Sequence, residues 1–276
     1  MPMSSPGRAA AKASRCFAAA VGPVSWRMIL TTTLTAQLES VKSKEDESMK
    51  VATILPKGYL ALCREDTYIM ALAHLMVRDT EYRAFFEDIA AQRRAHILLD
   101  NGVVETGKPM DAVPLIRLAR ETGVTEFILP DKIYDRSSTL RMGLDAIYLD
   151  DSIPLTFEQK RTDMMAVPQG SNSAEWIACC EEMIHWPIRS IGISKFTGKY
   201  FPSRLQALQA CPELIESKKE IHLLGCQNGA MEIVEIDHAF PDRIRGVDSS
   251  IAAIYTKAGM LMSNGILPRE MFGLPI

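Results

Sequence analysis

Seven short apolar runs, each separated from the next by a longer helix-like stretch, restrict this chain to few folds. The runs are VATIL (51–55), HILLD (96–100), EFILP (126–130), MMAVP (164–168), SIGIS (190–194), EIHLLG (220–225) and RIRGV (243–247). Most read as continuously apolar, not alternating, which suits strands buried on both faces as in a parallel sheet. Amphipathic stretches lie between them. Residues 67–94 (TYIMAL through AAQRR) place apolar residues at helical spacing across two helices, and AVPLIRLARETG ends on Gly123, a helix C-cap residue. SAEWIACCEEMIHW, with Ser173 as N-cap, FPSRLQALQACPEL and NGAMEIVEIDHAF supply further helices, and SSIAAIYTKAGMLM follows the last run. Strands alternating with helices define an α/β chain, and a (β/α)8 TIM-like barrel is expected, with an open doubly wound sheet as the alternative. The eighth strand is sought near AIYLDD (146–151), where periodicity does not fix it.

The chain has 276 residues, 47% of them hydrophobic, enough for one large core. A formal net charge of -3 provides no global basic field, so any polyanion would have to meet a local patch. No apolar run has the length of a membrane span, and no membrane partner is expected. None of the six cysteines forms a CxxC pair, which argues against a zinc knuckle or a disulfide framework and for a reducing, cytoplasmic setting. Residues 1–27 carry Arg8, Lys12, Arg15 and Arg27 without an acid and are rich in Ala and Ser. That composition resembles a transit peptide, but the preferred reading is a poorly ordered extension or an upstream start. Residues 1–48 are therefore read as an N-terminal extension or linker, and residues 49–276 as the barrel domain.

Polar residues recur where the runs end. HILLD ends in Asp100, Asn101 and Gly102; EFILP is followed by Asp131; MMAVP by Gln169 and Gly170; SIGIS by Lys195; and RIRGV by Asp248 and two serines. In a β/α barrel these exits form one rim, and the active site lies on that rim. Each residue also has a structural reading. Asp100 before Asn-Gly makes a tight turn, Asp131 caps the next segment, and Asp248 before Ser-Ser caps a helix. The functional reading rests on their joint placement. His96, His185 and His222 are read as packing residues, since no second ligand sits at metal spacing.

The order and spacing of LLDNG, LPD, VPQGSNSAEWIACCEEMI, IHLLGCQN and VDSSIAAIYTKAGML resemble the tRNA-guanine transglycosylase superfamily. The resemblance is nearest to its DNA-directed branch, the 7-deazaguanine DNA transglycosylases of phages and bacteria. It implies a TIM-like barrel without the zinc-binding subdomain, because the family's CxCxxC-plus-His insertion is missing. It also implies Asp248 as nucleophile and Asp100 as general acid/base, with Asp131, Gln169, Gly170, Asn101 and the backbone of Gly192 and Ile193 around the base. Asn101 stands where the family carries Ser, and IGIS where it carries a double-glycine strand. The implied reaction replaces guanine in DNA with a preQ0-type 7-deazaguanine through a covalent Asp intermediate, without a cofactor. The implied partners are DNA rather than tRNA, the free base, and an accessory protein or second copy.

In KFTGKYFPSR, cations mix with aromatics as a backbone-and-stacking surface would. Lys195, Lys199, Arg204 and Lys257 are the candidate nucleic-acid contacts. The same exchange on tRNA, a barrel lyase or phosphosugar enzyme with Lys195 as a Schiff-base amine, and a catalytically idle purine-binding barrel are the competing readings.

Overall fold

The computed structural model describes residues 49–55, 57–63, 67–154, 161–226 and 230–250. Eight parallel strands follow one another around a closed ring in chain order. They are β1 (Lys50–Thr53), β2 (Tyr68–Leu72), β3 (His96–Asp100), β4 (Glu126–Ile128), β5 (Asp163–Ala166), β6 (Ser190–Ser194), β7 (Glu220–Leu224) and β8 (Ile244–Ser249). The ring closes where Lys50–Thr53 pairs in register with Gly246–Ser249. With both edges paired, the open doubly wound sheet is excluded, and the chain is a (β/α)8 barrel.

The helices are α1 (Ala73–Arg78), α2 (Thr80–Gln92), α3 (Val103–Thr106), α4 (Ala112–Thr122), α5 (Arg136–Ser152), α6 (Ser173–Met183), α7 (Arg204–Gln209), α8 (Pro212–Glu216) and α9 (Ala230–Ala239), with 3-10 turns at Lys57–Cys63 and Lys195–Lys199. Among the described residues no helix is long and apolar enough to cross a membrane. The N-cap of α6 is Asn172, whose side chain accepts from the Glu175 amide, and not the expected Ser173.

The eighth strand lies at Tyr68–Leu72, not near residues 146–151, which belong to α5. Tyr-Ile-Met-Ala-Leu is apolar throughout and flows directly into α1, so its composition fits a helical period as well as a buried strand. The three-dimensional reason for the strand is that all five residues are buried, between β1 and β3. The helix expected after the last strand, and residues 1–48, lie outside the described residues.

Strand side chains alternate between two cores. Outward residues such as Ile69, Ile97, Leu99, Phe127, Ile191, Ile193, Ile221 and Val247 pack against the helices in one large cluster. Inward residues Ala52, Tyr68, Met70, Leu98, Ile128, Met165 and Val167 fill the barrel in a second. The bottom of the barrel is charged. Fully buried Glu126 meets His96 Nε2 at 3.0 Å, Arg245 Nη2 at 2.8 Å and the Ser190 hydroxyl. Burial alone would raise the Glu126 pKa; the His96 hydrogen bond, the Arg245 charge and Ser190 outweigh it and hold the carboxyl at about 2.

Two glycines leave room for inward side chains. A Cβ on Gly192 would lie 2.7 Å from Leu224 Cδ1 and 2.9 Å from Met165 Sδ. One on Gly246 would lie 2.4 Å from the Lys50 carbonyl oxygen and 2.9 Å from Tyr68 Cε1. Gly246→Ala should therefore cost ~1–3 kcal/mol by overpacking. Gly198→Ala, where nothing lies within 4 Å, should cost far less. Urea unfolding of the two variants checks this, and equal stabilities would refute the packing argument.

Candidate active site

A cavity of about 200 Å³ opens at the C-terminal mouth of the barrel. Its apolar wall includes Ile54, Met70, Leu72, Ile128, Val167 and Leu224, and its polar wall includes Asp100, Asn101, Asp131, Gln169, Lys195 and Asp248. The strand-exit residues of β3, β4, β5, β6 and β8 thus meet in one place.

At the β3 exit, Asp100 Oδ2 accepts from the Gly102 amide at 2.8 Å, an Asx-type turn that Gly102 completes at φ 79°. The tight-turn reading of Asp100 is therefore correct, and the carboxylate lines the cavity as well. Burial raises its pKa well above the ordinary value, reinforced by the charge of Glu105 and, more weakly, those of Asp248 and Asp131, against the Gly102 hydrogen bond. Neighbouring Asn101 is locked by backbone. Its Oδ1 accepts from Val103 N at 2.9 Å, and its Nδ2 donates to Leu129 O at 2.8 Å and to Asp131 Oδ1 at 2.7 Å.

Asp131 is buried, and Gln169 Nε2 donates to its Oδ2 at 2.7 Å. The amide of Gln169 is itself oriented, because its Oε1 accepts from Tyr134 N at 3.2 Å. Tyr134 makes that contact in the left-handed region at φ 67°, a strained conformation for a bulky residue. Burial pushes the Asp131 carboxyl up to about 6, with the two amides pulling against it. Asp131 caps no helix; Asp135 caps α5.

At the β8 exit, Asp248 Oδ1 accepts from Gly225 N at 2.9 Å and lies 3.3 Å from His222 Nε2. Gly225 adopts φ 79°, and a Cβ there would lie 2.8 Å from Lys195 Cδ. The Lys195 stem therefore crosses directly over the turn that holds Asp248. Its amine sits 5.4 Å from the Phe196 ring centroid.

Other candidates lie elsewhere. Gly192 and Ile193 are core residues of β6, with no position in the cavity wall. Gly170 allows α6 to pack closely: a Cβ there would lie 2.5 Å from Trp176 N. Lys199 is at the rim, its Nζ 3.8 Å over the Tyr134 ring. Arg204 is not a surface cation. It is buried, with Nη2 2.6 Å from Glu232 Oε2, Nε 3.1 Å from Oε1 and Nη1 on Leu224 O, so it has no freedom to meet a phosphate. Lys257 lies outside the described residues. Among the described residues no group of three or more His, Cys, Asp or Glu could hold a metal ion.

Sequence reasoning missed His222 and Tyr68. His222 was read as packing, yet it contacts Asp248, and Tyr68 Oη lies 2.9 Å from its Nδ1. The signal was the alternation Glu220, His222, Leu224, which puts His222 on the same strand face as a cavity residue.

No protein-family model matches the chain, and no curated protein matches it. Solved structures do. The carboxyl transferase domain of Rhizobium etli pyruvate carboxylase, with 3-bromopyruvate, is 11% identical at a TM-score of 0.49 and aligns over 90% of this chain and 49% of its own. This chain thus spans about half the length of that one. 2,3-Dimethylmalate lyase, a PEP mutase/isocitrate lyase superfamily member, is 12% identical over 91% of this chain and 94% of its own, at a TM-score of 0.46. Oxaloacetate acetylhydrolase with 3,3-difluorooxalacetate is 13% identical over 90% and 92%, also at 0.46.

These comparisons correct the family expected from the motifs. The structures this chain resembles are carboxyl transferase and lyase barrels, not tRNA-guanine transglycosylases. The guanine exchange on DNA or tRNA falls with that assignment. The physical reason lies in the fold. An apolar strand ending in an acid, an amide or a glycine is what a β/α barrel produces at each exit, so short motifs in order reflect the barrel as readily as a shared chemistry.

The buried carboxyl has a measurable consequence. Folded, Asp131 keeps its proton up to about pH 6, while an unfolded Asp releases it near about 3.9. Between those values the folded state holds the extra proton, so stability falls as pH rises through the window, and the loss is complete above it. From pH 4 to 7, urea unfolding should show the wild type losing ~2 kcal/mol more stability than Asp131→Ala. Parallel profiles would contradict the burial argument.

Proposed function

We propose that the barrel mouth is the active site of an enzyme that makes or breaks a bond in a small neutral or cationic molecule by carboxylate acid–base catalysis. The observation that carries this reading is the meeting of Asp100, Asp131 and Asp248 in one cavity, two of them with raised pKa values. Asp100, kept protonated to higher pH, is the proton donor to the leaving atom. Asp248, fixed through one oxygen, takes a proton from the substrate or from water. Asp131, held at both oxygens by fixed amides, orients N–H or O–H groups of the substrate.

Charge supports the substrate class. Asp100, Glu105, Asp131 and Asp248 line the cavity with Lys195 as the single cation among the described lining residues. An anionic substrate would face carboxylates on most sides, whereas a donor-rich neutral or cationic one finds acceptors. The volume is below the ~300–1,000 Å³ of pockets for drug-sized ligands, in keeping with a small molecule.

A thermal-shift screen of small amides, amines and amidines beside matched carboxylates and phosphates tests the class. Stabilisation by the first group and not the second is expected; stabilisation by anions alone would sink the reading. For any substrate so found, Asp100→Asn and Asp248→Asn should each lower kcat by ~10²–10⁴. The wild-type rate should fall as pH rises through the Asp100 titration, because the donor is then spent. Asp100→Asn should abolish that alkaline limb.

A second reading rests on Lys195, whose stem crosses the Asp248 turn and which lines the same cavity. A carbonyl substrate would condense with it, losing water to form an imine. Cyanoborohydride trapping of a small ketone on Lys195, located by peptide mass and absent in Lys195→Arg, would move the chemistry to the amine.

A further inference from the structure

We propose that His222, held in one tautomer between Asp248 and Tyr68, is the positioning residue of Asp248 and turns Asp248 Oδ2 toward the reacting atoms; its catalytic meaning rests on the reading of Asp248 above. His222 is fully buried in the middle of β7 and does not line the cavity, so it acts only through Asp248. Its two ring nitrogens have different partners: Nε2 lies 3.3 Å from Asp248 Oδ1, and Nδ1 lies 2.9 Å from Tyr68 Oη. A carboxylate oxygen can only accept, so Nε2 carries the hydrogen. Nδ1 is then bare and accepts the phenol proton of Tyr68.

The surroundings favour that arrangement. Burial is the largest influence on Tyr68 and raises its pKa, so its phenol stays a donor; burial likewise lowers the pKa of His222, against the pull of Asp248, so its ring stays neutral. Arg245 and Glu126 are the other charged groups acting on both. The Tyr68 ring is wedged edge-on against His222 and His96, with Arg245 Cζ 5.6 Å from its centroid, and has space because residue 246 is glycine. Among the described residues the two partners of Asp248, Gly225 N and His222 Nε2, converge on Oδ1. Among the described residues no donor reaches Oδ2.

The test is ¹⁵N NMR of the full chain labelled at its five histidines, with His222 assigned by loss of its signals in His222→Gln. The expected signature is a neutral ring with hydrogen on Nε2, slow to exchange with solvent and unchanged from pH 6 to 8. Tyr68→Phe should shift the Nδ1 resonance by removing its hydrogen bond while Nε2 keeps its hydrogen, and Asp248→Ala should remove the hydrogen bond of the Nε2 proton. An Nδ1–H ring or an imidazolium in the wild type overturns the proposal, and so does an Nδ1 resonance that Tyr68→Phe leaves unmoved. None of these outcomes depends on an activity, so failure here is distinct from failure of the acid–base reading. With a substrate in hand, His222→Phe should lower kcat by at least tenfold with KM within twofold. His222→Gln, which keeps a donor, should recover part of the loss. A fall confined to KM, or equal losses in both variants, would overturn the positioning role.

Discussion

Closure of the ring between β1 and β8 is the constraint from which the rest of the molecule follows. Once Lys50–Thr53 pairs with Gly246–Ser249, no strand edge remains, and every second strand residue must point at a narrow common axis. Side chains on that axis have to fit one another, which is why glycine occupies positions 192 and 246 opposite Leu224 and Tyr68. The pairing of β7 with β8 contains a register shift: Ile221 pairs with Ile244, but His222 with Gly246, so Arg245 is the extra residue. A bulge re-aims the side chains that follow it. Strict alternation would send Arg245 and Asp248 to opposite faces, being three apart. With the bulge, Arg245 reaches Glu126 at the bottom of the barrel while Asp248 reaches the cavity at its mouth.

That axis carries carboxyls in two opposite electrostatic states. Glu126 and Asp131 are both buried, and burial alone raises both. Glu126 gains a histidine, an arginine and a hydroxyl, and ends at about 2; Asp131 gains only neutral amides, two from side chains and one from backbone, and ends at about 6. The difference lies in the partners and not in depth. A charged partner fixes a carboxylate permanently and suits the closed end of the barrel. Neutral partners hold the position of a carboxyl yet leave its proton negotiable, which suits the open end.

The sequence announced the strand exits more clearly than what lies between them. Asp100, Asp131, Gln169, Lys195 and Asp248 follow apolar runs, and the barrel collects them at its mouth. Strand β2 was hidden because Tyr68–Leu72 has no polar residue to break a helical period before α1 begins. His222 is hidden for a different reason: in so short a run it reads as packing, although Glu220, His222 and Leu224 share one face. SIGIS likewise alternates, with Ser190 on Glu126 and Ser194 in the cavity wall. Arg204 looked like a surface cation because its partner Glu232 is 28 residues away, beyond the reach of any local pattern. The family reading erred for a related reason, since local motifs at strand exits carry the barrel's own repeat.

Structural and chemical readings of the rim aspartates do not compete, because a carboxylate has two oxygens. Asp100 gives Oδ2 to the Gly102 amide, and Asp248 gives Oδ1 to Gly225 and His222. In each case the described donors leave the other oxygen unclaimed beside the cavity. Asp131 differs: each oxygen already accepts from a fixed side-chain amide. A carboxyl held on both sides cannot rotate to follow a moving proton, while one held on a single side keeps a free oxygen at a fixed bearing. On the proposed reading, this hydrogen-bond pattern divides the labour, with Asp131 to orient a bound molecule and Asp100 and Asp248 to face its reacting bond.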